Sequence, residues 1–269
     1  MNRRDARRIV SLVPCLSEAL FALSLGERLV GVTDWCVHPA NGVAALPKVG
    51  GTKDTDVDAV VALAPDLVIA NHEENTRRTV ERLRGAGIDV WVTYPRTVHE
   101  AAALLGQLAD LGAPAEARAA LLAPLDEALR HAETQGPARR TRVFCPIWRD
   151  PWMSVGGDTY IHDLLALCGG RNVFAQWGDR RYPRVTLDDV ARAAPEVILL
   201  PDEPYPFGPA DAAELATLPV PAARDGRIHC IDGTLVSWYG PRIQRAILEV
   251  RPLLAPSPPA APQVRRSTA

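Results

Sequence analysis

The chain has 269 residues, 47% hydrophobic and 23% charged, with 30 Lys+Arg against 32 Asp+Glu for a formal charge of −2. Such a composition can bury a proper core and excludes wholesale disorder. The near-balance of charge argues against a broad footprint for nucleic acid or anionic membrane. Cys15, Cys36, Cys145, Cys168 and Cys230 are odd in number and lack CxxC spacing, which points away from a disulfide framework or a zinc ribbon.

Taken in order, the chain opens with Arg3, Arg4, Arg7 and Arg8 ahead of a short apolar run, without the apolar stretch and small-residue cleavage site of a secretory signal. No segment approaches the ~18 apolar residues of a spanning helix. The expected location is therefore the cytoplasm as written, or the periplasm or cell surface if the true start lies upstream. Residues 9–13 predict a strand, and Ser17 an N-cap for a helix that stops near Gly26. Residues 29–33 predict a second strand. A helix over 57–63 leads through a Pro65-Asp66 turn into a strand at 67–70, and a charged helix over 76–84 into a strand at 88–92. Alternation of this kind predicts a parallel sheet with helices on its faces.

The second half repeats the grammar, with strands at 141–145 and 197–200 and a helix at 161–167. Asp58-Ala-Val-Val-Ala-Leu-Ala-Pro65-Asp66 is echoed by Asp188-Asp-Val-Ala-Arg-Ala-Ala-Pro195-Glu196 about half a chain later, the mark of a duplicated domain rather than a solenoid. Between the echoes, residues 115–134 predict one helix of ~30 Å, long enough to cross from lobe to lobe. Pro124 is expected to kink it. The expected domains are an N-terminal α/β lobe (1–96), a connecting helical backbone (97–137), a C-terminal α/β lobe (138–254) and a disordered Pro-rich tail (255–269).

Ligands in open parallel sheets sit beyond the carboxyl ends of the strands. Five of the six tryptophans fall in such loops: Trp35, Trp148, Trp152, Trp177 and Trp238. Aromatics with acidic clusters and arginines suit a large, flat, amphipathic ligand better than an ion or an amino acid. The candidate binding set is Cys15, Trp35, His72, Glu73, Tyr94, Arg96, Trp148, Trp152, Tyr182, Tyr205 and Trp238, with no catalytic residue and no metal site of the protein's own. Catalytic signals are thin. Cys15 opens a helix, where a thiol pKa can fall, but a buried structural thiol is the plainer reading. His72-Glu73-Glu74 is half a metal site without an HExxH. His38 reads as an axial group or a surface histidine, and His162-Asp163 as helix capping. Asp54, Asp56 and Asp58 lack the glycine and terminal glutamate of a calcium loop.

Four segments resemble a known family: Arg8-Ile-Val-Ser-Leu-Val-Pro-Cys-Leu-Ser-Glu18, Leu29-Val-Gly-Val-Thr-Asp-Trp-Cys-Val-His-Pro39, Leu46-Pro-Lys-Val-Gly-Gly51 and Ala64-Pro-Asp-Leu-Val-Ile-Ala70. They are similar to the vitamin B12-binding proteins of ABC importers, in the helical-backbone metal receptor superfamily. The resemblance implies two Rossmann-like lobes with parallel sheets bridged by one long α-helix, the class III periplasmic-binding-protein fold. It also implies non-catalytic binding of a corrinoid between the lobes, with Trp35, Trp152 and Tyr182 on the ring and no covalently bound cofactor. Arg96, Arg149 and Arg181 would meet the ligand's amide or carboxylate groups. Asn71 stands where a relative carries tryptophan, and Arg77 and Ser237 stand where relatives carry the glutamates that dock on the permease. The expected partner is thus a small metal chelate, with an importer permease second, no nucleic acid, and a monomeric state. Alternatives are haem, with Tyr94, Tyr182 or Tyr205 as axial ligand, a ferric siderophore, an enzyme using His72 and Glu73, or a regulator whose lobe closure a partner reads.

Overall fold

Two runs of alternating strand and helix build the molecule. The computed structural model describes residues 3–136, 139–178 and 180–256; residues 257–269 of the expected tail lie outside the described residues. The first run comprises β1 (Ile9–Ser11), α1 (Pro14–Ala22), β2 (Leu29–Val32), α2 (Ala40–Val43), α3 (Val57–Ala62), β3 (Leu67–Asn71), α4 (Arg77–Gly85) and β4 (Asp89–Thr93). Its sheet is ordered β2-β1-β3-β4 and is parallel. Next come α5 (Val98–Ala109) and α6 (Ala115–Thr134). The second run starts with β5 (Thr141–Phe144), a small hairpin of β6 (Pro146–Trp148) and β7 (Met153–Ser154), α7 (Tyr160–Leu167) and β8 (Gly170–Asn172). It ends with α8 (Leu187–Ala193), β9 (Val197–Pro201), α9 (Pro209–Leu215), α10 (Pro221–Arg224), β10 (Ile228–Ile231), α11 (Thr234–Ser237) and α12 (Ile243–Leu254). The second sheet, β10-β9-β5-β8, is also parallel and repeats the strand order of the first when read from its other edge.

The Pro-acid echo has the same function in each lobe. Ala64 and Ala194 both adopt the left-handed conformation, at φ 45° and 48°. Asp66 then accepts the backbone N–H of Arg7 and Arg8 at 2.8 and 2.9 Å, and Glu196 that of Arg142 at 3.0 Å. Arg8 and Arg142 return the contact, each donating Nε–H to the carbonyl of its lobe's left-handed alanine. Each joint pins the start of a first strand to the start of a third.

Period-two alternation sends every inner strand two ways. Ile9, Leu67, Ile69, Val143, Val197 and Leu199 enter one hydrophobic cluster that runs through both lobes with α1, α5, α6, α7 and α12. Val10, Val68 and Ala70 face an outer N-lobe cluster, and Phe144, Ile198 and Leu200 an outer C-lobe cluster. The lobes therefore share a core, and α6 crosses it as a single 20-residue helix with Pro124 inside, not broken there.

Two capping expectations are corrected. Pro14 occupies the first turn of α1, where its missing N–H costs nothing, so Ser17 lies inside the helix and donates to the Val13 carbonyl at 3.1 Å. Thr159, not His162-Asp163, caps α7. Asp163 instead accepts the N–H of Val98 at 2.7 Å and so ties α7 to the start of α5.

Candidate functional site

The carboxyl ends of both sheets open on one cavity of about 640 Å³ between the lobes. Pro14 and Cys15 come from the first turn of α1, Trp35, Val37 and His38 from the segment after β2, and Asn71, Glu73 and Glu74 from the end of β3. The C-lobe faces them with Tyr160 of α7, Tyr182, Glu203 after β9, and Ser237, Trp238 and Tyr239 after β10. The volume is within the ~300–1,000 Å³ of small-molecule sites. A second groove of about 580 Å³ lies between α6 and α12 and is walled without Trp, Tyr or Phe among the described residues, which makes it the weaker candidate.

Local hydrogen bonds aim the acidic pair into the cavity. The Asn71 side-chain oxygen accepts the N–H groups of Glu73 and Glu74 at 2.7 and 3.2 Å, an Asx turn. Asn75 fixes the far side by donating to the carbonyls of Leu12 and Thr52 and accepting the Asn71 N–H. Glu73 then crosses the cleft, accepting Nε–H of Arg181 at 2.8 Å and the Tyr182 hydroxyl at 2.5 Å. Glu74 accepts the Tyr239 hydroxyl at 2.7 Å. Desolvation pushes the Glu74 carboxyl up to about 7, against the pull of the Tyr239 bond and the Lys53 charge. Burial likewise holds the Cys15 thiol and the Tyr239 and Tyr160 phenols well above their ordinary values. Behind the cavity, Arg242 forks onto Glu18 of α1 and lies 4.8 Å over the Trp238 ring. Gly240 permits this approach between lobes, since a Cβ there would sit 2.6 Å from the Cys15 carbonyl oxygen.

Of the residues expected from sequence, the cavity gathers Cys15, Trp35, Glu73, Tyr182 and Trp238. Trp35 is 63% exposed and Trp238 only 9%. His72 and Tyr94 lie outside this lining, packed on each other at 4.5 Å, with the Arg96 and Arg181 guanidinia over the Tyr94 ring. Trp148 and Tyr205 meet edge-on at 5.6 Å, also outside it. Trp152 departs furthest from expectation: its ring stacks on Phe207 at 5.6 Å and 9°, inside the outer C-lobe core rather than on the cavity wall. The three arginines each pair with acids of the protein itself. Arg96 pairs with Glu100 and Asp158, Arg149 with Asp211 and Glu214, and Arg181 with Glu73 and Asp158.

Sequence reasoning left Glu74, Tyr160 and Tyr239 out of the candidate set, although all three line the cavity. Tyr239 adjoins Trp238 and Glu74 adjoins Glu73, so adjacency was the available signal. Tyr160 reads as an ordinary helix-start residue in a Thr-Tyr-Ile-His run and carried none.

Residues 9–232 match the family described as Periplasmic binding protein. The chain belongs to that family. As a periplasmic binding protein it is a non-catalytic ligand carrier rather than an enzyme, with the two-lobed class III architecture. A vitamin B12-binding protein of Vibrio parahaemolyticus is 26% identical over 251 residues, spanning 93% of this chain and 90% of that relative. The periplasmic vitamin B12 binding protein of Vibrio cholerae superposes with a TM-score of 0.80 at 24% identity, over 92% of this chain and 96% of that one. A periplasmic heme binding protein from Pseudomonas aeruginosa gives 0.77 at 26% identity, with 94% of each chain covered. The two solved relatives are periplasmic by name and lend no support to a cytoplasmic location. No helix among the described residues is long and apolar enough to cross a membrane. Ser237 lines the cavity and donates to Glu203 at 2.7 Å. Arg77 is exposed and paired with Glu81.

Proposed function

We propose that this periplasmic binding protein holds a corrinoid, a cobalamin-like cobalt chelate, between its lobes without altering it. The observation that carries the reading is the wall itself: Trp35 from the N-lobe and Tyr182, Trp238 and Tyr239 from the C-lobe bring aromatic rings to one cavity. Rings on opposed walls suit a flat macrocycle that stacks on both. The vitamin B12-binding relatives favour the same class of ligand. Cys15 and Glu73 complete the lining, while His72, Tyr94, Arg96, Trp148 and Tyr205 flank it as contacts for peripheral groups. Trp152 supports the C-lobe from behind.

Haem is the second reading, favoured by the 26%-identical heme binding protein of Pseudomonas aeruginosa. Against it, Tyr182 is committed as a donor to Glu73. Delivery to an importer permease belongs to the same proposal, as does the division into a lobe, a helical backbone and a second lobe near residues 96 and 137. Gel filtration of the protein mixed in turn with cyanocobalamin, hemin and a ferric siderophore tests the reading by visible absorbance in the protein peak. Co-elution of cyanocobalamin alone is expected. Co-elution of hemin alone replaces the corrinoid with haem, and retention of none overturns both readings.

A further inference from the structure

The side chains on the cavity wall that bind metals are nearly all engaged by the protein itself. The Cys15 thiol is buried beside Tyr239, and desolvation keeps it protonated. Tyr182 donates to Glu73 and Tyr239 to Glu74, so neither phenol offers a free oxygen anion. The Tyr160 hydroxyl has no hydrogen-bond partner among the described residues, but it is buried and the same desolvation holds it neutral. Glu203 accepts the Ser237 hydroxyl and the indole N–H of Trp238. His38 differs from all of these. It lines the cavity from the N-lobe just ahead of α2, and its one ring contact is edge-on to Trp238 of the C-lobe, at 5.8 Å and 71°. Its ring nitrogens make no hydrogen bond among the described residues.

We propose that His38 is the residue that meets the metal, its imidazole nitrogen taking an exchangeable axial position on the chelated cobalt or iron of the bound macrocycle. The proposal rests on the functional reading above and adds to it the atom that recognises the metal. No group of three or more His, Cys, Asp or Glu among the described residues is placed to hold a metal ion. A single free donor instead complements a metal whose equatorial positions a macrocycle already fills. Imidazole is a suitable ligand for such metals. The step is a ligand exchange: the nitrogen lone pair forms the bond to the metal, a water leaves it, and the oxidation state is unchanged. Trp238 across the cavity limits where the imidazole ring can turn.

Visible spectra of aquocobalamin and of hemin, each titrated with wild type, His38→Ala and His38→Asn, test this. In wild type the main band of the bound chelate is expected to move to the position of its imidazole-ligated form. In both variants the chelate still binds, about tenfold more weakly, without the band shift, and free imidazole restores the shift. Cyanocobalamin, whose cyanide fills the upper axial position, is expected to show no band shift with any of the three proteins. A shift that persists in both variants, or a chelate bound to wild type with an unaltered spectrum, overturns the assignment of His38 and leaves the binding function standing. Failure of wild type to take up any of the three chelates instead overturns the functional reading, and the role of His38 with it.

Discussion

The two lobes share a skeleton and differ in what fills it. Both sheets have the same strand order, and in both a left-handed alanine, a proline and an acid pin the first strand to the third. Outside that frame the N-lobe cluster is wholly aliphatic, with Val10, Leu12, Val57, Val68 and Leu83, whereas the C-lobe cluster is built on Phe144, Trp152, Phe174 and Phe207. The backbone joint, held by main-chain groups, is common to both halves, while the side-chain filling is not. This difference explains Trp152. A lobe that fills its outer layer with rings drew a loop tryptophan inward, while Trp35, whose lobe fills with valine and leucine, stayed 63% exposed at the cavity.

The comparison makes graded predictions. Trp152→Ala removes a stacked core ring and is expected to cost about 3–5 kcal/mol in chemical denaturation, with affinity of the remaining folded protein for its chelate little changed. A loss of affinity exceeding the loss of stability would return Trp152 to the ligand wall. Asp66→Ala and Glu196→Ala each strand backbone donors at the equivalent joints, and each is expected to cost roughly 2 kcal/mol. A large effect at one joint and none at the other would break the equivalence.

The joints and the cavity also respond to pH in opposite senses. The N–H groups of Arg7 and Arg8 hold Asp66 below its ordinary value, and Arg139 with the Arg142 N–H does the same for Glu196 despite its burial. Their stability is present above the unfolded pKa and is lost as pH falls through the folded one. Glu74 is raised from 4.5 to about 7. The fold therefore retains a proton there that the unfolded chain releases, and stability declines as pH rises from about 4.5 through 7. Glu74→Gln is expected to flatten that decline and stabilise the protein at pH 8 by about 1–2 kcal/mol. Urea midpoints at pH 3, pH 5 and pH 8 measure both senses, and a wild-type midpoint that rises from pH 5 to pH 8 in step with the Gln variant contradicts the assignment to Glu74. Smallest of all, Trp35→Ala is expected to shift stability by under about 0.5 kcal/mol, because the side chain is mostly exposed.

Much of this architecture was legible in sequence because it rests on local patterns. Short runs rich in apolar residues pointed to β2, β3, β4, β5 and β9, and the Pro-acid echo to the duplication. The three-residue strand β8, Gly170–Asn172, has too little length for any periodicity to register, and β10, Ile228–Ile231, carries His229 and Cys230 in mid-run. The cavity was legible by loop position, which brought Trp35, Glu73, Tyr182 and Trp238 to its wall. Side-chain direction was not, because it depends on distant partners: Phe207 turns Trp152 inward, and Tyr239 meets Glu74 from the opposite lobe. The same holds for the arginines, whose acid partners in Asp158, Asp211 and Glu214 are remote in the chain.

The central claim is that the cavity between the lobes, walled by aromatic rings from both, is where the chelate binds. Calorimetric titration of cyanocobalamin into wild type and Trp35→Ala tests it most directly, since that substitution leaves the fold nearly untouched. Micromolar or tighter binding to wild type, weakened at least tenfold in the variant at equal thermal stability, is the predicted result. Equal affinity in the two proteins would contradict the account and put the ligand elsewhere on the molecule.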